Sequence, residues 1–227
     1  MKRLRDIVRP FIWKRWLSLF LALLLLVPPE LGAGWDFNTI NERTQRLYGP
    51  ATPTAQRNID AWEALLKQPT QGNIQATLNR VNQFFNSRIR FVDDITVWGQ
   101  EDYWATPVEA LRKGAGDCED YALAKYFTLR ELGVPASQLR ITYVKALQLN
   151  QAHMVVTWYS TPDAIPLVLD NLKPAILPAT ARSDLLFIPL TGKVYGSRRP
   201  AAASALATVN DFHVGRIFSP GCVQKGL

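Results

Sequence analysis

Three side chains in this sequence have the type and setting of a nucleophilic site: Cys118, His153 and Asp170. Cys118 follows Gly114-Ala115-Gly116-Asp117 and opens an apolar helical run, which places its thiol in the first turn of a helix. There the helix dipole lowers a thiol pKa, and unpaired backbone N–H groups can receive a developing oxyanion. His153 begins the strand-like run His153-Met154-Val155-Val156-Thr157, a rigid edge from which to project a base. Asp170 ends the apolar run Leu167-Val168-Leu169 in the next strand, where a buried acid needs a partner and a His Nδ1–H is a natural one. Nucleophile, base and orienting group together make a Cys–His–Asp arrangement. The bland alternative for Cys118 is a buried structural cysteine, or half of a disulfide to Cys222. Catalysis needs the free thiol, so Cys118 and Cys222 are expected to be unlinked. His213 lies in the tail and is not expected to serve as the base.

Three acids crowd the thiol. Asp117, Glu119 and Asp120 would raise its pKa by like-charge repulsion if left unpaired. One or two acids suit a helix N-terminus, but three around a thiolate oppose the chemistry. A hard divalent cation resolves the conflict, and carboxylate oxygens suit Ca²⁺. The expected metal ligands are Asp117, Glu119 and Asp120, in a mainly structural role, with their carboxylates directed away from the sulfur.

The elements that must hold these residues are legible. Thr52-Pro53 starts one helical pattern through Leu65 and Leu66, and Asn73-Ile74 starts another through Phe85. The stretch from Asp93 to Pro107 mixes Trp98, Tyr103 and Trp104 with acids and reads as a loop with aromatic anchors. Thr106-Pro107-Val108-Glu109 has the pattern of a capping box. The helix opening at Asp117-Cys118 runs to Gly133, and strand-like runs follow at 139–147, 154–159 and 166–172. Helices followed by consecutive strands predict an α+β fold, N-terminal helices packed on an antiparallel sheet.

Composition sets the limits. With two Cys and two His in 227 residues, a disulfide-dense scaffold, a four-thiolate metal site and a three-His metal centre are excluded. The net charge of +7 does not signal nucleic acid, because residues 1–34 carry +4 of it and no recognised nucleic-acid motif is present. That basic stretch runs into an apolar segment from Trp16 to Val27, then Pro28-Pro29 and Gly32-Ala33-Gly34, the pattern of a secretory signal peptide. A retained N-terminal anchor is the alternative, although the segment is short of the roughly 20 apolar residues of a spanning helix. Three regions result: a leader, 1–34; a catalytic domain, 35–195; and a loosely ordered tail, 196–227.

Gly116-Asp117-Cys118-Glu119-Asp120-Tyr121-Ala122, Ala152-His153-Met154-Val155 and Leu169-Asp170-Asn171-Leu172 resemble the bacterial transglutaminase-like cysteine proteinases, the LapG-type periplasmic proteases. Trp98-Gly99 and Asp102-Tyr103-Trp104-Ala105-Thr106-Pro107 upstream, with Glu109, and Arg182-Ser183-Asp184-Leu185 downstream, extend the resemblance over roughly residues 80 to 195. It implies a papain-like, transglutaminase-type fold and periplasmic proteolysis, with Cys118 as nucleophile, His153 as base and Asp170 as third member. It also implies a calcium site formed by the acids around Cys118. The implied substrate is a large cell-surface adhesin, cut near an Ala-Ala site in its N-terminal region to release the cell from a biofilm. The implied partner is the periplasmic domain of an inner-membrane cyclic-di-GMP receptor that sequesters the protease. Two other readings share these residues: acyl transfer to an amine, as in true transglutaminases, and a non-catalytic binding module on the same fold.

Overall fold

The computed structural model describes residues 34–68 and 72–187. Nearly all of the expected leader, the expected tail with Cys222, and His213 lie outside them. Two compact units divide the chain, residues 1–40 and 41–227. Within the described part of the first, Asp36 caps the start of α1 (Phe37–Tyr48), its carboxylate accepting Asn38 N–H at 3.0 Å and the Thr39 hydroxyl at 2.5 Å.

In the second unit the helices begin where their capping residues stand. Thr52 Oγ1 accepts Ala55 N–H at 3.1 Å to open α2 (Pro53–Leu66), and Asn73 Oδ1 accepts Ala76 N–H at 3.1 Å to open α3 (Ile74–Arg88). Each such cap contributes about 1 kcal/mol. Their apolar faces bury Ile59, Trp62 and Leu65 on α2, and Leu78, Val81 and Phe85 on α3. One element departs from the expected loop at 93–107, and a short strand pair was not expected. Asp94–Val97 forms one helical turn, α4, and Arg90–Phe91 (β1) pairs in parallel with Ala115–Gly116 (β2). Both are too short to show a periodicity. The capping box at Thr106 is formed: Glu109 Oε2 accepts Thr106 N–H at 2.7 Å, and α5 (Pro107–Lys113) ends at Gly114 with φ 61°. A side chain at that φ would be strained.

The helix carrying Cys118, α6 (Cys118–Glu131), is the centre of the domain. It packs against α3 and α5 on one side and against the sheet on the other. It is buried nearly all round, and its polar positions are therefore paired: Thr128 Oγ1 accepts Trp62 Nε1–H at 2.9 Å. The sheet contains β3 (Leu139–Ala146), β4 (Gln151–Trp158), β5 (Leu167–Leu169), β6 (Leu177–Pro178) and β7 (Leu185–Phe187). Their order is β6-β5-β4-β3-β7, every pair antiparallel, so the expected α+β class holds. Val144, Ala146, Val155, Val168 and Leu185 form a core across four of the strands. His153 is the third residue of β4 rather than its first, because Gln151 and Ala152 already pair with Ala146 and Lys145.

Candidate active site

Cys118 is fully buried at the start of α6, preceded by a tight approach that only glycine allows. A Cβ on Gly116 would stand 2.5 Å from Asp120 Oδ2 and 2.9 Å from Asp120 Cβ. The Asp120 carboxylate occupies that space because it ties the turn together. Its Oδ1 accepts Ala105 N–H at 2.7 Å and its Oδ2 accepts Asp117 N–H at 3.3 Å. The nucleophile candidate is thus placed by a buried cap.

Helix α6 lies against β4, the strand that bears His153. Continuing the Val156–Leu169 register by one step sets Asp170 opposite Val155, on the same face as His153 and diagonal to it. The two side chains meet: His153 Nε2 lies 2.7 Å from Asp170 Oδ1, both buried. This corrects the expected nitrogen. Nε2 takes the carboxylate, which leaves Nδ1 for a reacting partner, because the ring reaches across the strand gap by its far edge. Asp170 Oδ1 also accepts Leu172 N–H at 3.1 Å, and Oδ2 accepts Arg182 Nη2–H at 2.6 Å. Burial alone would push this carboxyl up, yet His153 and Arg182 hold it well below the usual carboxylate range. The Asp170 carbonyl is pinned to α3 by Asn86 Nδ2–H at 2.8 Å. Lys125, buried on α6 with Nζ 5.4 Å from the Tyr121 ring centroid, is pushed down to about 7 by burial, against the pull of Asp170.

Cys118 is disulfide-bonded, and no free cysteine stands among the described residues. This departs from the expected free thiol, an expectation that followed from what catalysis requires. Its Sγ lies 3.2 Å from Glu119 Oε2. The Glu119 carboxylate therefore folds back over the first helical turn, and the expectation that the acids point away from the sulfur fails for it.

The acids form three overlapping groups, none of which holds all three expected ligands Asp117, Glu119 and Asp120. Asp94, Asp117 and Asp120 each offer an oxygen within 4.8 Å of the others, and so do Asp94, Asp102 and Glu119. Asp117, Cys118 and Glu119 form a third such group. Asp94 and Asp102 were not among the expected ligands. The only sequence signal was the run of acids among aromatics at 93–102, whose return to α6 depends on tertiary packing. Burial pushes Asp117 up to about 11, Asp120 up to about 8 and Asp94 up to about 6, with neighbouring carboxylates adding to each shift. Glu119 is raised too, by burial first. Asp94 Oδ1 and Asp117 Oδ1 are buried without a hydrogen-bond partner. Orphaned oxygens in an all-carboxylate set fit a hard divalent cation. Asp120 differs from the rest, since both its oxygens already hold backbone N–H groups.

Comparison with known proteins gives the same direction. The chain resembles solved structures of Legionella pneumophila LapG: one at 42% identity, covering 65% of this chain and 81% of that one, with a TM-score of 0.57. A calcium-bound LapG matches at 38% identity over 71% of this chain and 93% of that one, TM-score 0.57. An EGTA-treated LapG matches at 36% over 76% and 91%, TM-score 0.60. No curated protein sequence matches the chain. The family model described as bacterial transglutaminase-like cysteine proteinase matches residues 56–188, more than half of the chain. The chain belongs to the bacterial transglutaminase-like cysteine proteinase family.

Proposed function

We propose that this protein is a calcium-dependent periplasmic cysteine endopeptidase in which Cys118, His153 and Asp170 act as the catalytic triad. The observation that carries the triad is the buried His153–Asp170 pair at 2.7 Å beside the helix that begins at Cys118. In the reduced enzyme, His153 Nδ1 takes the Cys118 proton and the thiolate attacks the scissile carbonyl carbon. The oxyanion that forms is received by backbone N–H groups in the first turn of α6. The imidazolium then gives its proton to the leaving amine, the C–N bond breaks, and a thioester remains on Cys118. Water, deprotonated by His153, attacks the thioester and releases the acid product with the free thiol. Asp170 holds the ring so that Nδ1 faces the reaction throughout.

Asp94, Asp102, Asp117 and Glu119 would hold Ca²⁺, with Asp120 closing the turn beneath them. The ion would neutralise the carboxylates that otherwise oppose a thiolate 3.2 Å from Glu119. The relatives' calcium-bound and EGTA-treated forms support that reading. The substrate we infer is the N-terminal region of a large surface adhesin, cut near Ala-Ala to release cells from a biofilm. Its regulator would be the periplasmic domain of an inner-membrane cyclic-di-GMP receptor. The test is an assay of the reduced protein with the N-terminal segment of a large adhesin from the same cell, scored for peptide cleavage and for amine incorporation. Two new termini without amine incorporation support the proposal. Amine incorporation without cleavage would replace it with acyl transfer.

A further inference from the structure

Resting on the triad above, we propose that Arg182 is a fourth, positioning member of the site, acting on His153 through Asp170. Arg182 is buried, and its side chain and that of Asp170 both have 0% exposure where they meet. Nη2–H donates to Asp170 Oδ2 at 2.6 Å, the oxygen that His153 does not use. The same Nη2, with Nε beside it, grips Asp184: Nε–H donates to Oδ1 at 2.9 Å and Nη2–H to Oδ2 at 2.7 Å. Asp184 is in turn 3.4 Å from Lys173 Nζ. The backbone around Arg182 is equally fixed, since its N–H meets the Ala179 carbonyl at 3.1 Å and its carbonyl accepts Leu185 N–H at 3.1 Å. Leu147 N–H donates to the Asp184 carbonyl at 2.8 Å, which ties the segment to the end of β3.

Stability does not account for this arrangement. Taking a guanidinium out of water costs several kcal/mol, and a buried ion network is often no more stable than apolar packing. Here the cost is higher, because Nη1 is buried without a partner. What the network supplies is geometry. Without Arg182 only the Leu172 N–H, 3.1 Å from Oδ1, would restrain the Asp170 carboxylate, which could still rotate about χ2 and turn that oxygen from the imidazole. Arg182 occupies Oδ2 through a single N–H and so leaves Oδ1 aimed at Nε2, while the two-point grip on Asp184 fixes the guanidinium that makes this contact. His153 then has one ring orientation, with Nδ1 free for the thiol proton.

The experiment uses the full chain, reduced and supplied with Ca²⁺, with p-nitrophenyl acetate as the acylating probe and proton NMR of the imidazole hydrogen shared with Asp170. Arg182→Met is expected to lower the acylation rate roughly 10- to 100-fold, the scale on which orienting partners act. It should also abolish the far-downfield imidazole resonance. Arg182→Lys, which keeps the charge and loses the fork, should recover part of both. Asp184→Asn, at a more exposed position, loosens the anchor without burying a lone charge, and should broaden the resonance and slow acylation less than Arg182→Met. Wild-type acylation and an intact resonance in Arg182→Lys and Asp184→Asn would overturn the proposal, whatever becomes of Arg182→Met. If His153→Ala or Asp170→Asn acylates like wild type, the triad itself fails, a result separate from the failure of Arg182 alone.

Discussion

Stripping metal from the protein should make its stability fall as pH rises, and Ca²⁺ should remove that dependence. The four buried acids, Asp94 at the start of α4 and Asp117, Glu119 and Asp120 at the start of α6, have raised pKa values, and raised acids hold protons when folded that the unfolded chain releases. Stability therefore falls as pH climbs from the ordinary carboxylate value towards the folded one. Asp120, raised from 3.8 to about 8, spans the whole window from pH 5 to 7. Counting this group alone, the slope is about 1.4 kcal/mol per pH unit, so stability drops by about 3 kcal/mol across the window. For a domain of this size that is roughly 6–12 °C in Tm. Calcium at 100 times its Kd adds about 2.7 kcal/mol by binding only the folded state, and it binds best when the acids are ionised. The assay is thermal unfolding of reduced, metal-stripped protein in chelating-resin-treated buffer at pH 5, 6 and 7, with and without added Ca²⁺. A Tm that is flat or rising with pH in the stripped protein, or unmoved by Ca²⁺ at pH 7, would refute the reasoning.

Cys118→Ala and Cys118→Ser should cleave nothing at normal yield and fold, and the oxidised wild type should be inactive until dithiothreitol restores it; turnover by non-reduced protein would contradict the role of the sulfur. Asp170→Asn should lose roughly 10³- to 10⁴-fold in kcat, because an amide neither orients nor stabilises the imidazolium; this is read from steady-state kinetics with circular dichroism as the fold control. Gly116→Ala should cost about 1–3 kcal/mol and weaken Ca²⁺ binding, since its Cβ would displace the Asp120 carboxylate, measured by thermal unfolding and calcium titration.

The parts of the site that local sequence controls were legible. Thr52, Asn73 and Thr106 mark helix starts by their own side chains, and the apolar runs at 139–147 and 166–172 show their strands. That His153 and Asp170 would lie side by side on neighbouring strands was legible from the two apolar runs that carry them, although His153 stands inside β4 rather than at its start. The nitrogen facing Asp170 was not, since it depends on the diagonal offset between β4 and β5 rather than on residue type. Asp94 and Asp102 were missed as companions of Asp117 and Glu119 because 15 or more residues separate them and only packing of the aromatic loop brings them back. The direction of Glu119 failed for a related reason: at a helix N-terminus a carboxylate can fold back over the first turn, which periodicity does not express.

The central claim is that Cys118 forms a thioester with substrate when Ca²⁺ is bound and His153 is present. Rapid quenching of the reduced protein with the adhesin N-terminal segment, followed by peptide mapping by mass spectrometry, reads that bond directly. An acyl adduct confined to Cys118 is expected in wild type with Ca²⁺, and none in His153→Ala or after chelation. An adduct on another residue, or cleavage by Cys118→Ala, would contradict that claim.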